Sequence, residues 1–121
     1  MIKDVDLKIW GRDFTLPVEY DCYSNEKITD EQIQNLDLFI RNKRLIDKSK
    51  IYVEDYCEKQ ISEENKNNIF TYIKPHYIYV KREPNPRVAI MCKYKYDTEN
   101  GLAIVFDDSG NIKVTIQDEI L

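Results

Sequence analysis

The feature that most constrains this chain is an alternation of apolar and polar residues that extends from residue 76 to residue 116. Three turn-forming segments, 83–86, 97–101 and 107–111, interrupt it and together are rich in Asp, Asn, Gly and Pro. Because neighbouring side chains of a strand point to opposite faces, the pattern predicts four consecutive antiparallel strands with their even-numbered residues on one face. The residues assigned to that face are His76, Ile78, Val80, Val88, Ile90, Cys92, Tyr94, Tyr96, Leu102, Ile104, Phe106, Ile112, Val114 and Ile116.

The turn positions also predict a register for this meander. The expected cross-strand pairs are Val80 with Ile90, Ile78 with Cys92, Tyr94 with Ile104, and Phe106 with Ile112. Each pair places two even-numbered residues on the same face, and this agreement between independent turns supports the assignment.

Period-two alternation also marks residues 5–22, which we expect to form a β-hairpin around Gly11. Pro17 has no N–H to donate, so the second strand is expected to lie at a sheet edge or to stop pairing at this residue. The expected pairs are Ile9 with Phe14, Leu7 with Leu16, and Val5 with Val18.

Between these two regions the apolar residues recur with the period of a helix. Thr29 and Gln32 are spaced as a capping box at the start of a first helix. A second helix is expected to begin near Asp47, and a third, short helix to span residues 66–73 before Pro75. The predicted apolar stripes are Ile33, Leu36, Phe39 and Ile40 in the first helix, Val53, Tyr56 and Cys57 in the second, and Ile69, Phe70 and Ile73 in the third.

The resulting element order is ββ-ααα-ββββ. It predicts one α+β domain over residues 1–121, in which helices pack on one face of a mainly antiparallel sheet.

The composition excludes several kinds of site. The 121 residues include one His, three Cys and three Gly, too few for a multi-His metal centre, a zinc ribbon or a glycine-rich phosphate loop. We therefore expect no metal and no cofactor. Cys22, Cys57 and Cys92 are odd in number and widely spaced, which favours three reduced core thiols over a disulfide framework.

The N-terminal residues carry charges where a signal peptide would have an apolar stretch. No uncharged run approaches the roughly 20 residues needed to span a bilayer. The sequence therefore predicts a cytoplasmic protein with no membrane association.

Charge is distributed unevenly, although 18 basic and 22 acidic residues leave a net charge of only −4. Residues 41–50 and 74–95 are basic, whereas residues 96–121 are acidic, and pairing between neighbouring strands would neutralise much of this difference. Residues 19–31 are acidic, with Lys27 as their one base. We predict that the acidic residues of this segment bind a basic protein partner: Glu19, Asp21, Glu26, Asp30 and Glu31.

The odd-numbered face of the predicted sheet is a second candidate surface. If the helices cover the even face, an aromatic and basic surface remains open to a protein or to stacked bases, unless another element covers it. Nucleic acid is the less favoured partner because the chain is net acidic and lacks a recognisable base-stacking motif. The residues of this surface are Tyr77, Tyr79, Lys81, Met91, Lys93 and Lys95.

His76 and Cys92 share the even face in the expected register, so a Cys–His nucleophilic pair is the enzymatic alternative. That face is apolar, however, and a desolvated thiol is a weaker acid and less reactive. We therefore interpret both residues as structural, and predict no catalytic residue.

Two stretches and the C-terminal tail resemble a known family. They are the strand LPVEYDC at residues 16–22, the hairpin RVAIMCKYKYD at 87–97 with GLAIVF at 101–106, and the tail QDEIL at 117–121. This arrangement is similar to an uncharacterised family of small bacterial α+β domains. The resemblance implies an α+β fold with a helical middle, and it associates the chain with domains regarded as immunity proteins for bacterial toxins.

The sequence thus favours a non-enzymatic, protein-binding domain, with toxin neutralisation as the specific hypothesis. A basic toxin such as a nuclease is the expected partner, because opposite charges accelerate association. The alternatives are a small enzyme using Cys92 and His76, and a weak nucleic-acid binder using the odd face.

Overall fold

The computed structural model describes residues 4–22, 26–61, 68–82, 87–107 and 109–121. Within these ranges the chain forms an α+β fold of six strands and two α-helices, with 3₁₀ turns at Ile69–Thr71 and Gln117–Glu119. The strands are β1 (Asp4–Ile9), β2 (Arg12–Tyr20), β3 (Ile73–Lys81), β4 (Arg87–Tyr94), β5 (Leu102–Asp107) and β6 (Ile112–Thr115), and the helices are α1 (Asp30–Arg41) and α2 (Lys43–Cys57).

The six strands form one mixed sheet in the order β1-β2-β3-β4-β5-β6. Four of the pairings are antiparallel, as expected, but β2 and β3 are parallel. Both helices lie in the connection between β2 and β3, and a long crossover of this kind allows the next strand to return in the same direction. The sheet is therefore mixed, and the N-terminal hairpin is joined to the meander.

The N-terminal hairpin forms, but its register differs from the expected one by two residues. Trp10 and Gly11 make a two-residue loop with φ angles of 49° and 86°, as a type I′ turn requires. The edge position expected from Pro17 was wrong, because β2 lies between β1 and β3 and Pro17 pairs with Asp4; pairing with β3 begins at Val18. The observed pairs include Ile9 with Arg12, Leu7 with Phe14, and Val5 with Leu16, so the side chains that share a face are still those predicted.

The register between β3 and β4 differs from the predicted one by two residues, and a bulge in β3 interrupts it. Pro75 pairs with Cys92, but the next pair joins Tyr77 to Met91, which leaves His76 as an extra residue. Proline removes a donor from the ladder, and bulges are a usual place for it in a sheet. Beyond the bulge the pairs are Ile78 with Ile90 and Val80 with Val88, instead of Cys92 and Ile90 respectively.

The register between β4 and β5 also differs from the expected one. Ile104 pairs with Ile90 and not with Tyr94, because the connection over residues 95–101 closes as a longer loop. Within that loop the Gly101 amide donates to the Asp97 carbonyl over 3.0 Å. The last predicted pair, Phe106 with Ile112, is confirmed.

The first helix begins as predicted. The Gln32 amide donates to Thr29 Oγ1 over 3.1 Å, and the Thr29 amide donates to Gln32 Oε1 over 2.9 Å, which completes the capping box. Leu36 and Phe39 are buried with Gln32, whereas Ile33 is 52% exposed and is not part of the buried stripe. A stripe predicted from hydrophobicity alone missed Gln32, because a buried amide requires partners that only the fold supplies.

The second and third predicted helices need larger corrections. Helix α2 begins at Lys43, because Asn42 Oδ1 accepts a hydrogen bond from the Leu45 amide. Its buried face includes Val53 and Cys57, as expected, while Tyr56 is 42% exposed. The third predicted helix is reduced, in the part of the chain described, to the 3₁₀ turn at Ile69–Thr71; residues 66 and 67 lie outside that part, and Ile73 already begins β3.

Both helices pack on the even face of the sheet and form the main core there. Phe39 of α1 meets Phe106 of β5 with a ring-centroid distance of 5.0 Å, and α2 contacts both edge strands, β1 and β6. A smaller apolar cluster lies on the opposite face, where Ile120 from the C-terminal segment packs against Met91 and its neighbours. Among the described helices, none has the length and apolar character that crossing a membrane requires.

Candidate functional site

The five predicted acidic residues lie where β2 ends and α1 begins, and we call this set the acidic corner (Glu19, Asp21, Glu26, Asp30 and Glu31). The buried side chain of Gln32 holds the corner together. Its Nε2 donates to the Asp21 carbonyl and to the Val80 carbonyl, each over 3.2 Å. Since Gln32 also caps α1, one side chain joins the start of the helix to β2 and β3.

Two of the five acidic residues are already neutralised within the protein. Asp21 Oδ2 lies 3.5 Å from Lys81 Nζ and accepts a hydrogen bond from the Arg82 amide over 3.1 Å. Glu26 Oε2 lies 3.6 Å from Arg82 Nη2, and Arg82 Nη1 donates to the Lys27 carbonyl over 2.9 Å. Asp21 and Glu26 therefore brace the segment that follows β2.

Glu19, Asp30 and Glu31 are the outward-facing part of the acidic corner. All three are exposed, and no ion pair found among the described residues involves them. Asp30 and Glu31 lie in the first turn of α1, where a negative charge is favourable beside the helix N-terminus. The structure thus places the three carboxylates around the junction of β2 and α1, with Glu19 on the sheet face opposite α1 and Asp30 and Glu31 on α1 itself. None of the three has a basic partner among the described residues.

Arg82 is the residue of this corner that sequence reasoning did not single out. It contacts Asp21, Glu26 and Lys27, and its Nη1 lies 3.5 Å from the half-buried Sγ of Cys22. Cys57 and Cys92 are buried, as predicted, but Cys22 belongs to this partly exposed corner. In the sequence, Arg82 is visible only as the second of two adjacent bases at the end of β3. Its contacts with the acidic residues after β2 arise from the parallel pairing of β2 with β3, which the sequence pattern did not predict.

The odd-numbered face is not an open aromatic and basic platform. Met91 is fully buried and Tyr79 nearly so, because the C-terminal segment places Ile120 on this face. Gln117 anchors that segment by donating from Nε2 to the Cys92 carbonyl over 3.0 Å. Lys81 turns to Asp21, and the residues of this surface that stay exposed are Lys93 and Lys95.

The Cys–His pair of the enzymatic alternative is not formed by Cys92 and His76. Cys92 has no solvent exposure, and burial raises the pKa of its thiol. The bulge at Pro75 turns His76 outward, where its ring lies 5.3 Å from that of Tyr77. Cys92 therefore lies on the apolar face as expected, whereas the placement of His76 on that face was wrong. The two side chains do not form the pair on which the enzymatic alternative depended.

The comparisons with known proteins identify a family but no characterised relative. No curated protein and no solved structure matches this chain. A family model does match, over residues 2–121, which is nearly the whole chain. The chain therefore belongs to the family described as a domain of unknown function (DUF6985).

Proposed function

We propose that this chain is a non-catalytic protein-binding domain that recognises a basic partner through the acidic corner. The observation that carries the proposal is the exposure of Glu19, Asp30 and Glu31, none of which is paired with a base in the described structure. Like-charged groups left unpaired on one corner create a potential that attracts a cationic surface.

The bracing of the corner supports this proposal. Gln32, Lys81 and Arg82 fix the backbone beneath the exposed carboxylates through hydrogen bonds and ion pairs. A site that is ordered before binding loses less conformational entropy on association than a mobile one. The corner is thus suited to rapid, charge-steered docking.

More specifically, we propose that the domain is an immunity protein that neutralises a bacterial toxin in the cytoplasm. An inhibitor of this kind must bind before its toxin acts, so a high association rate is an advantage. A nuclease is the toxin class that suits an acidic inhibitor, because enzymes that bind nucleic acid present basic surfaces.

The test begins with the toxin reading frame that adjoins the gene. Its purified product is mixed with this chain, and association is followed by stopped flow at several salt concentrations. We expect the triple variant Glu19→Lys, Asp30→Lys, Glu31→Lys to associate at least about tenfold more slowly at low salt. The absence of a neighbouring toxin frame, or of binding to its product, would count against the immunity function.

A matched variant controls for the change in total charge. Asp55, Glu58 and Glu99 are equally exposed but lie near the end of α2 and in the β4–β5 loop. Converting these three to lysine changes the net charge by the same amount and should leave most of the association rate intact. Equal slowing by both triple variants would show that total charge matters and that the acidic corner does not.

A further inference from the structure

A small cavity lies at the elbow between α1 and α2, away from the acidic corner. Its volume is about 100 Å³, and the end of α1, the start of α2, β4 and the end of β5 enclose it. We call it the elbow cavity. The residues that line it are Asn35, Leu38, Phe39, Asn42, Leu45, Arg87, Val88, Phe106, Asp107 and Gly110.

Two hydrogen-bond donors of this lining lack acceptors. Arg87 Nε and Asn35 Nδ2 are both buried, and neither has a hydrogen-bond partner in the described structure. Buried donors without acceptors are rare, because each one loses its hydration on folding without compensation. Both groups belong to the lining of the same cavity, so one acceptor placed there, water or a ligand, could satisfy both.

Asp107, the nearest carboxylate in the register, does not supply that acceptor. It lies opposite Arg87 in the ladder of β4 and β5, but no ion pair joins the two in the part of the chain described. Its oxygens instead accept from the Ser109 amide (2.9 Å), the Asn111 amide (2.8 Å) and Asn111 Nδ2 (2.9 Å). These bonds lower the pKa of the Asp107 carboxyl and keep it ionised in the turn.

The start of α2 adds positive potential to the same place. Asn42 and Leu45 line the cavity, and the first turn of this 15-residue helix contains Lys43 and Arg44 with no acidic residue. Helices usually carry acidic side chains there, because the N-terminus already bears a partial positive charge. A local departure from a general preference is typical of a functional site.

The rest of the lining selects a small, partly apolar ligand. Phe39, Val88 and Phe106 contribute apolar walls, and Leu38, which is 63% exposed, lies at the rim. Apolar cavities of about 150 Å³ accept a molecule the size of benzene, so this smaller one suits a short hydrocarbon group. The ionised Asp107 disfavours an anion with more than one charge.

We propose that the elbow cavity binds a small monocarboxylate, with its carboxylate on Arg87 and Asn35 and its short hydrocarbon group against Phe39 and Phe106. This site is separate from the acidic corner, so it extends the function beyond the docking proposed above. A guanidinium and an amide donor are the groups that proteins use to hold a carboxylate.

The experiment is an NMR titration with sodium butyrate at mildly acidic pH, where guanidinium protons exchange slowly. We expect saturable shifts at the Nε–H of Arg87 and at the side-chain amide of Asn35. Butyramide has nearly the same shape without the charge and should give no comparable shift. The absence of saturable shifts with butyrate, or equal shifts with butyramide, would overturn the proposal.

Two variants locate the site. Arg87→Met should weaken butyrate binding at least about tenfold, because it removes the charged donor, whereas Lys93→Met removes an exposed charge elsewhere and should have little effect. Asn35→Asp adds a negative charge without changing the size of the side chain, and it should also abolish binding even if Arg87→Met failed to fold. Undiminished binding in Asn35→Asp, or in a folded Arg87→Met, would show that butyrate binds elsewhere.

Discussion

At the scale of single residues, Gly101 shows how one position couples the sheet to the C-terminal segment. Its φ is 62°, and a Cβ atom there would lie 2.7 Å from Gln117 Nε2 and 3.1 Å from the Cys92 carbonyl oxygen. Gln117 and Cys92 are the two partners of the hydrogen bond that anchors the segment. Gly101 therefore permits a contact that a side chain would block.

We expect Gly101→Ala to destabilise the protein and to release the C-terminal segment. Gly110→Ala is the matched control, because its φ of 84° imposes the same backbone strain while open space surrounds its Cβ position. Gly101→Ala should lower the free energy of unfolding by at least about 1 kcal/mol more than the control, measured by urea denaturation. Hydrogen exchange at the Ile120 amide, which donates to the Gln117 carbonyl, should accelerate only in Gly101→Ala; equal effects of both variants would contradict this account.

At the scale of elements, α2 begins with the charges that its own dipole disfavours. Lys43 and Arg44 occupy the first turn, and no acidic residue accompanies them. Their positive charges oppose the partial positive charge of the helix N-terminus, so the helix is less stable than it could be. The double variant Lys43→Glu, Arg44→Glu should then raise the free energy of unfolding by about 1 kcal/mol.

The same charge change placed further along α2 controls for net charge. Lys48→Glu with Lys50→Glu lies outside the first turn and should stabilise the helix less. Urea denaturation at low and high salt measures both variants, and the difference should shrink as salt screens the dipole. A lower free energy of unfolding in the Lys43→Glu, Arg44→Glu variant would contradict this prediction. It would show that the two bases stabilise the fold through other contacts, which outweigh their repulsion by the helix N-terminus.

The elements also show which parts of the fold local sequence could predict. The alternation of apolar residues correctly predicted which side chains of β4, from Val88 to Tyr94, face the helices. This succeeded because alternation along a strand is a local property of the sequence. The registers differed where a loop or a bulge intervened, as at Pro75, because loop closure depends on packing that no short pattern contains. The parallel pairing of β2 with β3 had no local signal, since α1 and α2 separate the two strands.

The candidate sites follow the same division. Charge counts alone selected the acidic residues of the corner, and four of them, Glu19, Glu26, Asp30 and Glu31, are exposed. Their role in binding stays a prediction. The pairing of Asp21 with Lys81 could not be foreseen without the parallel strands. The elbow cavity was not predicted from the sequence. Its donors Asn35 and Arg87 are distant in sequence, and neither belongs to a recognisable motif.

At the scale of the whole molecule, α1 extends between the two proposed sites. Its N-terminal turn belongs to the acidic corner and its C-terminal turn borders the elbow cavity. Twelve helical residues extend about 18 Å. The net charge of −4 does not show how charge is distributed along this helix. The two proposals together place a basic partner and a small anion at its opposite ends.

The stability of the whole molecule should fall at alkaline pH. Burial raises the pKa of Tyr72 to about 12, from an ordinary value of 10.0, and also raises that of the Cys57 thiol from 9.0. A group that binds its proton more tightly when folded contributes stability that is complete below its unfolded pKa and is lost as the pH rises toward its folded value. The free energy of unfolding should thus decrease from about pH 9 upward, measured by urea denaturation between neutral pH and pH 11.

Tyr72 gives this alkaline prediction a specific test. Its hydroxyl is buried without a hydrogen-bond partner in the described structure. Tyr72→Phe therefore removes an unsatisfied polar group and also a phenol whose pKa burial raises. The variant should be at least as stable as the original protein at neutral pH, and its stability should decline less steeply above pH 10. Tyr52→Phe is the control, because it also removes one tyrosine hydroxyl, but from a side chain that is 39% exposed on α2. An equal change of slope in this control would show that the effect is not specific to Tyr72. An unaltered slope in Tyr72→Phe would assign the alkaline loss to the other buried groups, such as Cys57 and Tyr94, whose pKa values burial also raises.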